Sequence, residues 1–295
     1  MSKIISVFGA TGSQGGSVVK ALAKNGMYSV KAITRNPKSD KAQTLSKLNN
    51  VTVHQADLDD PASIDKVLEG CYGSFLVTDF AAHFDNRETK QGISFVDSAI
   101  KNKLSHIVFS GLEHVEPIIN KPCLHFDYKA KIEDYGLSHK DKITFTSIRL
   151  PMYNQMIPLM FKHKLEDNQF SLTLPMGDNE VFLMNVEDAG KCVKSIFDNP
   201  DKYGNSIIPV AGDKLKGKEI EKIINKYVAP VKFLYANTSL EKFRSFGFPG
   251  VEDIVNMFEY YQTGKMHRDL NLTKELYKDV ESFDQWVAKN LHLFK

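Results

Sequence analysis

No stretch of the sequence approaches the roughly 18 uninterrupted apolar residues that a membrane span requires, so no transmembrane helix is expected. Cysteine is scarce. Cys71, Cys123 and Cys192 are the only three, they lie far apart, and their spacing matches no metal-binding pattern. That usage points to reduced thiols in a cytosolic protein rather than to a disulfide framework. An excess of one charge is missing as well. Lys and Arg number 38 against 36 Asp and Glu, a net +2, which leaves no bulk electrostatic footprint for a nucleic acid or an anionic membrane. The first apolar run starts at Lys3, and no signal peptide is expected. Internal repeats, low-complexity tracts, nucleophilic triads and base-stacking platforms are also lacking. Localisation in the cytoplasm, with the nucleus also open, is the expectation.

What is present is an ordinary globular balance, 42% hydrophobic and 25% charged, over 295 residues. That length can bury one large α/β core or two lobes. The first half alternates two periodicities. Short β-rich runs fall at 3–9, 29–35, 51–57, 73–79, 106–111 and 143–150, with helical patterns at 16–25, 39–48, 61–69, 87–102 and 126–139. Strand–helix alternation predicts an α/β fold, a Rossmann-type doubly wound parallel sheet with right-handed crossovers. Local signals agree: Gly26 follows the first helix as a helix-ending glycine would, and Asp60-Pro61 reads as an N-cap followed by proline at the first helical position. After Pro151 the pattern is less regular. Asn185 reads as an N-cap with Asp188 three residues on, and further amphipathic helices fall at 217–227 and 239–247. The expected organisation is a dinucleotide-binding domain over 1–150 and a smaller C-terminal α/β lobe over 151–295, with segments at about 185–212 returning to the first sheet.

Between the first strand and the first helix stands "GATGSQGG", residues 9–16. It reads Gly9-x-x-Gly12-x-x-Gly15, not the G-x-G-x-x-G of ordinary dehydrogenases. Gly9 permits the tight turn, Gly12 lets backbone approach a pyrophosphate, and Gly15 allows close helix–strand packing. Phosphate held by Gly9, Ala10, Thr11, Gly12, Ser13, Gln14 and Gly15 at a helix start is therefore expected, with a purely structural turn as the alternative. An acidic residue about 20 positions past the glycines would read a 2′-hydroxyl. Thr34-Arg35-Asn36 stands there instead, with Lys38 and Lys41 close behind. Arg35 offers a planar fork to a 2′-phosphate and the lysines add point charge, so NADP(H) is favoured over NAD(H). A solvated end-of-strand arginine is the competing reading. Asp57 ends the third run, where its carboxylate can accept from an adenine amino group. "DLDD" lacks the glycine and final glutamate of a calcium loop, and no metal site is expected. Thr78-Asp79-Phe80 closes the fourth run and is expected to line the crevice, with Lys90 on the next helix either reaching the cofactor or solvated.

With "GATGSQGG", "TRNP", "HFDYK" and "RLPMYNQ", the chain resembles the NmrA-like family of atypical short-chain dehydrogenases. The likeness continues into "TLPMGD" (173–178) and "FGFPGVEDIVNMFEYY" (246–261), and that last stretch resembles animal members that act as NADPH-responsive redox sensors. The resemblance implies phosphate binding by Gly9 to Gly15, 2′-phosphate recognition by Arg35 and Asn36, and adenine contact near Asp57 and Leu58. It also implies a nicotinamide-side contact from Lys129 and closure by the loop Tyr153, Asn154, Gln155 and Met156. This sequence reads "YNQM" there, where the family pattern is aromatic-Glu-Asn. Regulatory protein partners, argininosuccinate synthase among them, and a homodimer are further implications of the resemblance.

Catalytic short-chain dehydrogenases place Tyr-x-x-x-Lys on one helix face, so that the lysine lowers the tyrosine pKa. Four residues before Lys129 stands His125, not tyrosine, and Tyr128 points about 100° away. His125 is able to donate a proton near neutral pH, or to serve as a structural histidine. Ser110 can polarise a carbonyl or bond the backbone. A regulatory NADP(H)-binding redox sensor is the leading expectation. An NADPH-dependent reductase of a small carbonyl or quinone, using Lys129 and His125, is the alternative, and a scaffold with a structural cofactor is a third reading.

Overall fold

The computed structural model describes residues 2–24, 26–82 and 84–295. In chain order the first half contains β1 (Lys3–Val7), α1 (Ser13–Ala23), β2 (Tyr28–Thr34), α2 (Asp40–Leu45), β3 (Val51–Gln55), α3 (Pro61–Leu68), β4 (Gly73–Leu76), α4 (Arg87–Lys101), β5 (His106–Gly111), α5 (Glu116–Ile119), α6 (Leu124–Ser138) and β6 (Thr144–Arg149). The second half adds β7 (Met152–Tyr153), α7 (Met156–Met160), β8 (Lys162–Glu166), β9 (Gln169–Leu172), β10 (Glu180–Met184), α8 (Val186–Asp198), α9 (Pro200–Tyr203), β11 (Ile207–Pro209), β12 (Asp213–Lys216), α10 (Gly217–Asn225), β13 (Lys232–Tyr235), α11 (Leu240–Arg244), α12 (Val251–Gln262), α13 (Leu270–Leu276) and α14 (Phe283–Lys289). Two compact units emerge. The first comprises Met1–Glu113, His125–Arg149 and Val186–Ile208, and the second His114–Leu124, Leu150–Asn185 and Pro209–Lys295.

The first unit is built on a seven-stranded sheet in the order β11-β6-β5-β4-β1-β2-β3. Every pairing from β6 to β3 is parallel. Parallel strands are covered on both faces and so read as continuous apolar runs rather than alternating ones. β4 and β5 are buried at every position, their polar Ser74, His106 and Ser110 included. Strand order reverses between β1 and β4, because the chain runs outward from β1 through β2 and β3 and then returns. In such sheets ligands bind outside the carboxyl ends of the strands at that reversal.

Local chemistry sets the helix starts. Asp60 caps α3 by accepting a hydrogen bond from Ala62 N, with Pro61 at the first helical position. α1 begins at Ser13, three residues earlier than periodicity alone suggests, since Gly12 adopts the extended cap conformation without a side-chain cap. Asn25, the last residue of the helix expected there, lies outside the described residues. α4 turns Glu88, Gln91, Gly92, Phe95, Val96 and Ala99 inward at helical spacing. Phe95 and Val96 enter a core with Phe8, Ile33, Leu68, Leu76, Phe109 and Phe145. Each fully buried large apolar side chain of this kind contributes about 1.5–3 kcal/mol.

The second unit contains two three-stranded sheets, β12-β10-β7 and β13-β9-β8, flanked by helices. Ser239 caps α11 through a bond from Lys242 N, and Ser282 with Gln285 forms a capping box on α14. No helix among the described residues is long and apolar enough to cross a membrane.

Candidate functional site

Backbone geometry makes the glycine loop. Gly9 follows Phe8 at φ +67°, and a Cβ there would lie 2.6 Å from Val77 Cγ1. A Cβ on Gly15 would lie 2.2 Å from Gly9 O, so only glycine lets the first turn of α1 press on the loop that precedes it. Ala10 N donates to Ile33 O at 3.3 Å and Gly12 N to Gly9 O at 2.9 Å, which closes the turn. α1 carries no acidic residue in its first turn. Its amino end, with Ser13 and Gln14 opening the helix beside Thr11, thus presents backbone N–H groups and a positive dipole end suited to an anion.

One strand away, Arg35 leaves the carboxyl end of β2. Its guanidinium is exposed and has no hydrogen-bond or ion-pair partner among the described residues. Its backbone is pinned, since Gln55 Nε2 donates to Arg35 O at 3.2 Å. Asn36 Oδ1 accepts from Lys38 N at 3.0 Å, so that side chain shapes the turn that follows Arg35. Lys38 and Lys41 are exposed. Asp57 Oδ1 accepts from Asp59 N at 3.0 Å, a turn-closing bond, and half-buried Leu58 packs on the core. Gln91 Nε2 in turn donates to Asp59 Oδ1 at 2.9 Å, tying α4 to this turn.

The other half of the first unit holds a feature that the sequence reading missed. β4 stops at Leu76, three residues short of Asp79, and Thr78 turns inward. Lys129 Nζ donates to Thr78 O at 3.0 Å and to Thr78 Oγ1 at 2.8 Å, and pairs with Glu88 Oε1 at 2.6 Å. Thr78 Oγ1 donates its own proton to Glu88 Oε1 at 2.7 Å. An ammonium has three N–H groups, and all three are engaged inside the protein. Both ions are buried, 8% and 2% exposed, so each needs the other. Glu88 Oε2, by contrast, has no hydrogen-bond partner among the described residues. The sequence does contain a signal for Glu88: it is an acid on the apolar phase of α4, and an acid there needs a buried cation. Lys90, two residues on, is exposed on the opposite side of that helix.

His125 sits one turn before Lys129 on α6. Its ring centroid lies 6.2 Å from Phe80 and 4.8 Å from Phe126, while Tyr128 meets Phe80 edge-on at 5.9 Å. Phe80 is buried, Asp79 exposed, and Ser110 buried in β5. His83 lies outside the described residues. The first unit holds a second ionic group. Arg149 is paired with Glu133 and lies 3.9 Å from Glu113, and Ser147 Oγ donates to Glu133 at 2.5 Å.

In the second unit, Tyr153 closes β7 and Met156 opens α7. Between them Asn154 is 1% exposed. Its backbone N donates to Met184 O at 2.9 Å, yet both side-chain polar atoms lack partners among the described residues. Gln155 Nε2 donates to Asn185 Oδ1 at 2.7 Å, and Asn185 Nδ2 to Glu281 Oε2 at 2.8 Å. The three cysteines are buried and none is in a disulfide; burial pushes the Cys192 thiol up to about 12 and also raises Cys71, so neither of these two is a ready nucleophile.

A model of the NmrA-like family matches residues 1–287. The chain belongs to the NmrA-like family. An NmrA-like family domain-containing protein of Dictyostelium discoideum is 30% identical over 244 residues, covering 77% of this chain and 78% of that relative. An NmrA-like family domain-containing oxidoreductase of Aspergillus hancockii is 29% identical over 280 residues, covering 89% and 83%. Among solved structures, NmrA, a negative transcriptional regulator in complex with NADP, aligns with a TM-score of 0.84 at 18% identity, over 99% of this chain and 96% of that one. An NADPH-dependent quinone oxidoreductase of Escherichia coli complexed with NADPH aligns at 0.78 with 21% identity, over 99% of each. At these identities the structural likeness establishes the NmrA-like chain's fold: α/β, with a doubly wound parallel sheet.

Proposed function

We propose that this chain is an NADP(H)-binding regulatory protein that changes conformation or partner binding with NADPH occupancy. The observation that carries the reading is Arg35: an exposed guanidinium without a partner among the described residues, its backbone held at the carboxyl end of the strand beside the glycine loop. A planar cation there suits a 2′-phosphate, while the bare cradle at Gly9, Gly12 and Gly15 suits a pyrophosphate. Solved structures of this fold are complexes with NAD, NADP or NADPH. When bound, such a cofactor supplies a transferable hydride. Two features of the chain favour sensing over turnover: His125 stands where a catalytic tyrosine would, and every N–H of Lys129 is already engaged. A regulatory protein partner, argininosuccinate synthase by family resemblance, and a homodimer belong to this proposal, as does a cytoplasmic or nuclear location.

Titration of one sample with NADPH and NADH tests it. NADPH is expected to bind more tightly and to persist without oxidation over a panel of carbonyls and quinones. Binding of NADPH no tighter than NADH would remove the basis of the reading.

A second reading, an NADPH-dependent reductase of a small carbonyl or quinone, is supported by fungal relatives described as oxidoreductases and by His125 one turn before Lys129. Sustained NADPH oxidation on that panel, abolished by Lys129→Ala, would establish it.

A further inference from the structure

We propose that Glu88 is a direct ligand-binding residue: its Oε2 accepts a hydrogen bond from a sugar hydroxyl of the bound dinucleotide, at the carboxyl end of β4. The proposal rests on the NADP(H) reading and deepens it.

Three observations converge. Glu88 Oε1 already accepts from Thr78 Oγ1 and pairs with Lys129, which fixes the carboxylate in one orientation. Its other oxygen, Oε2, is buried and lacks a partner among the described residues, although the residue is only 2% exposed. Leaving a buried carboxylate oxygen unpaired is costly, so its persistence points to a donor supplied from outside the chain. Finally, the location fits. A dinucleotide whose 2′-phosphate meets Arg35 on β2 and whose pyrophosphate meets the loop after β1 continues toward β4, across the strand reversal. The part of it that arrives there is the second ribose, whose hydroxyls are donors.

Lys129 is the more obvious candidate for that contact, but it has no N–H left to offer while it holds Glu88 and Thr78. Glu88 thereby takes the acceptor role, and Lys129 and Thr78 become the groups that aim it. Lys129 also offsets the charge that Glu88 brings into the interior.

The two candidates predict opposite signs. Removing Glu88 takes away the acceptor in one case, and frees Lys129 to donate in the other. The experiment measures the affinity of wild type and Glu88→Ala for NADPH and for adenosine 2′,5′-bisphosphate, which carries the 2′-phosphate but no second ribose. The expected result is a fall of about tenfold or more in the ratio of NADPH to bisphosphate affinity, the scale of a charge-assisted hydrogen bond, with bisphosphate binding within about twofold of wild type. An unchanged or increased ratio overturns the proposal, as does an equal loss for both ligands. Should Glu88→Ala fold poorly, two double variants that bury no unpaired charge, Glu88→Met/Lys129→Met and Glu88→Gln/Lys129→Met, test position 88 with Lys129 removed from both: the ratio is expected to be lower in the first, which has no side-chain acceptor, and equal ratios overturn the proposal. Wild type that binds neither ligand refutes the cofactor reading and this proposal with it. Wild type that binds the bisphosphate, with a ratio indifferent to Glu88, refutes this proposal alone.

Discussion

Lys129 Nζ lies 2.6 Å from Glu88 Oε1 with Thr78 Oγ1 bonded to both, so α4, α6 and the segment after β4 meet on one buried charge pair. Removing one member leaves the other charge uncompensated in a low-dielectric interior. Lys129→Met is expected to cost about 3–5 kcal/mol of stability, the range for breaking a buried pair. The double variant with Glu88→Gln should recover most of that loss, since no buried charge then lacks a partner. Urea unfolding midpoints of the three proteins measure this. A double variant no more stable than Lys129→Met would mean that the pair contributes only packing.

Arg35 should act on one cofactor and not the other. Arg35→Ala is expected to weaken NADPH by about 1–3 kcal/mol, the value of a hydrogen bond to a charged group, and to leave NADH nearly unchanged. The NADPH loss should shrink as salt rises, because the guanidinium is exposed. Calorimetric titration at two ionic strengths reads both effects, and an equal loss for NADH would assign Arg35 a structural role.

Much of the first unit was legible because its constraints are local. β4 and β5 lie within short β-rich runs, Asp60-Pro61 marks a helix start, and Gly9, Gly12 and Gly15 sit where a strand passes into a helix. What escaped depends on partners distant in sequence. Thr78 reads as the end of a strand until Lys129, 51 residues later, is seen to hold it. Glu88 and Arg149 drew no reading from the sequence, because what marks them is a buried ion pair, Glu88 with Lys129 and Arg149 with Glu133. Asn185, which reads as a helix cap and directly precedes α8, has a side chain that also bridges Gln155 and Glu281, the latter 96 residues away.

The glycine loop makes a prediction that contrasts with Arg35. In Gly15→Ala the new methyl would sit 2.2 Å from Gly9 O and 2.5 Å from Gly9 C, both backbone atoms that cannot swing aside. The loop must shift, at about 1–3 kcal/mol for an overpacked site. NADPH and NADH should then weaken together, since the phosphate cradle serves both. Retained affinity for either would show that the cofactor does not use this loop.

His106 supplies a pH dependence whose sign follows from its hydrogen bonds. Thr146 Oγ1 donates to Tyr203 O at 2.9 Å, so the His106 Nε2 that lies 2.8 Å from that hydroxyl must be the protonated nitrogen. Nδ1 is then the site for a second proton, and it is buried with no partner among the described residues. Burial, reinforced by the Lys3 charge, pulls the folded pKa down from 6.5 to about 4. As pH falls below 6.5 the unfolded chain takes up the proton first, so the stabilisation present at neutral pH is lost progressively toward pH 4. Its total is on the order of 3 kcal/mol. His106→Gln keeps a donor for Thr146 but cannot titrate. Its urea midpoint should decline less than that of wild type between pH 7 and pH 5, and parallel declines would mean that other groups set the acid limit.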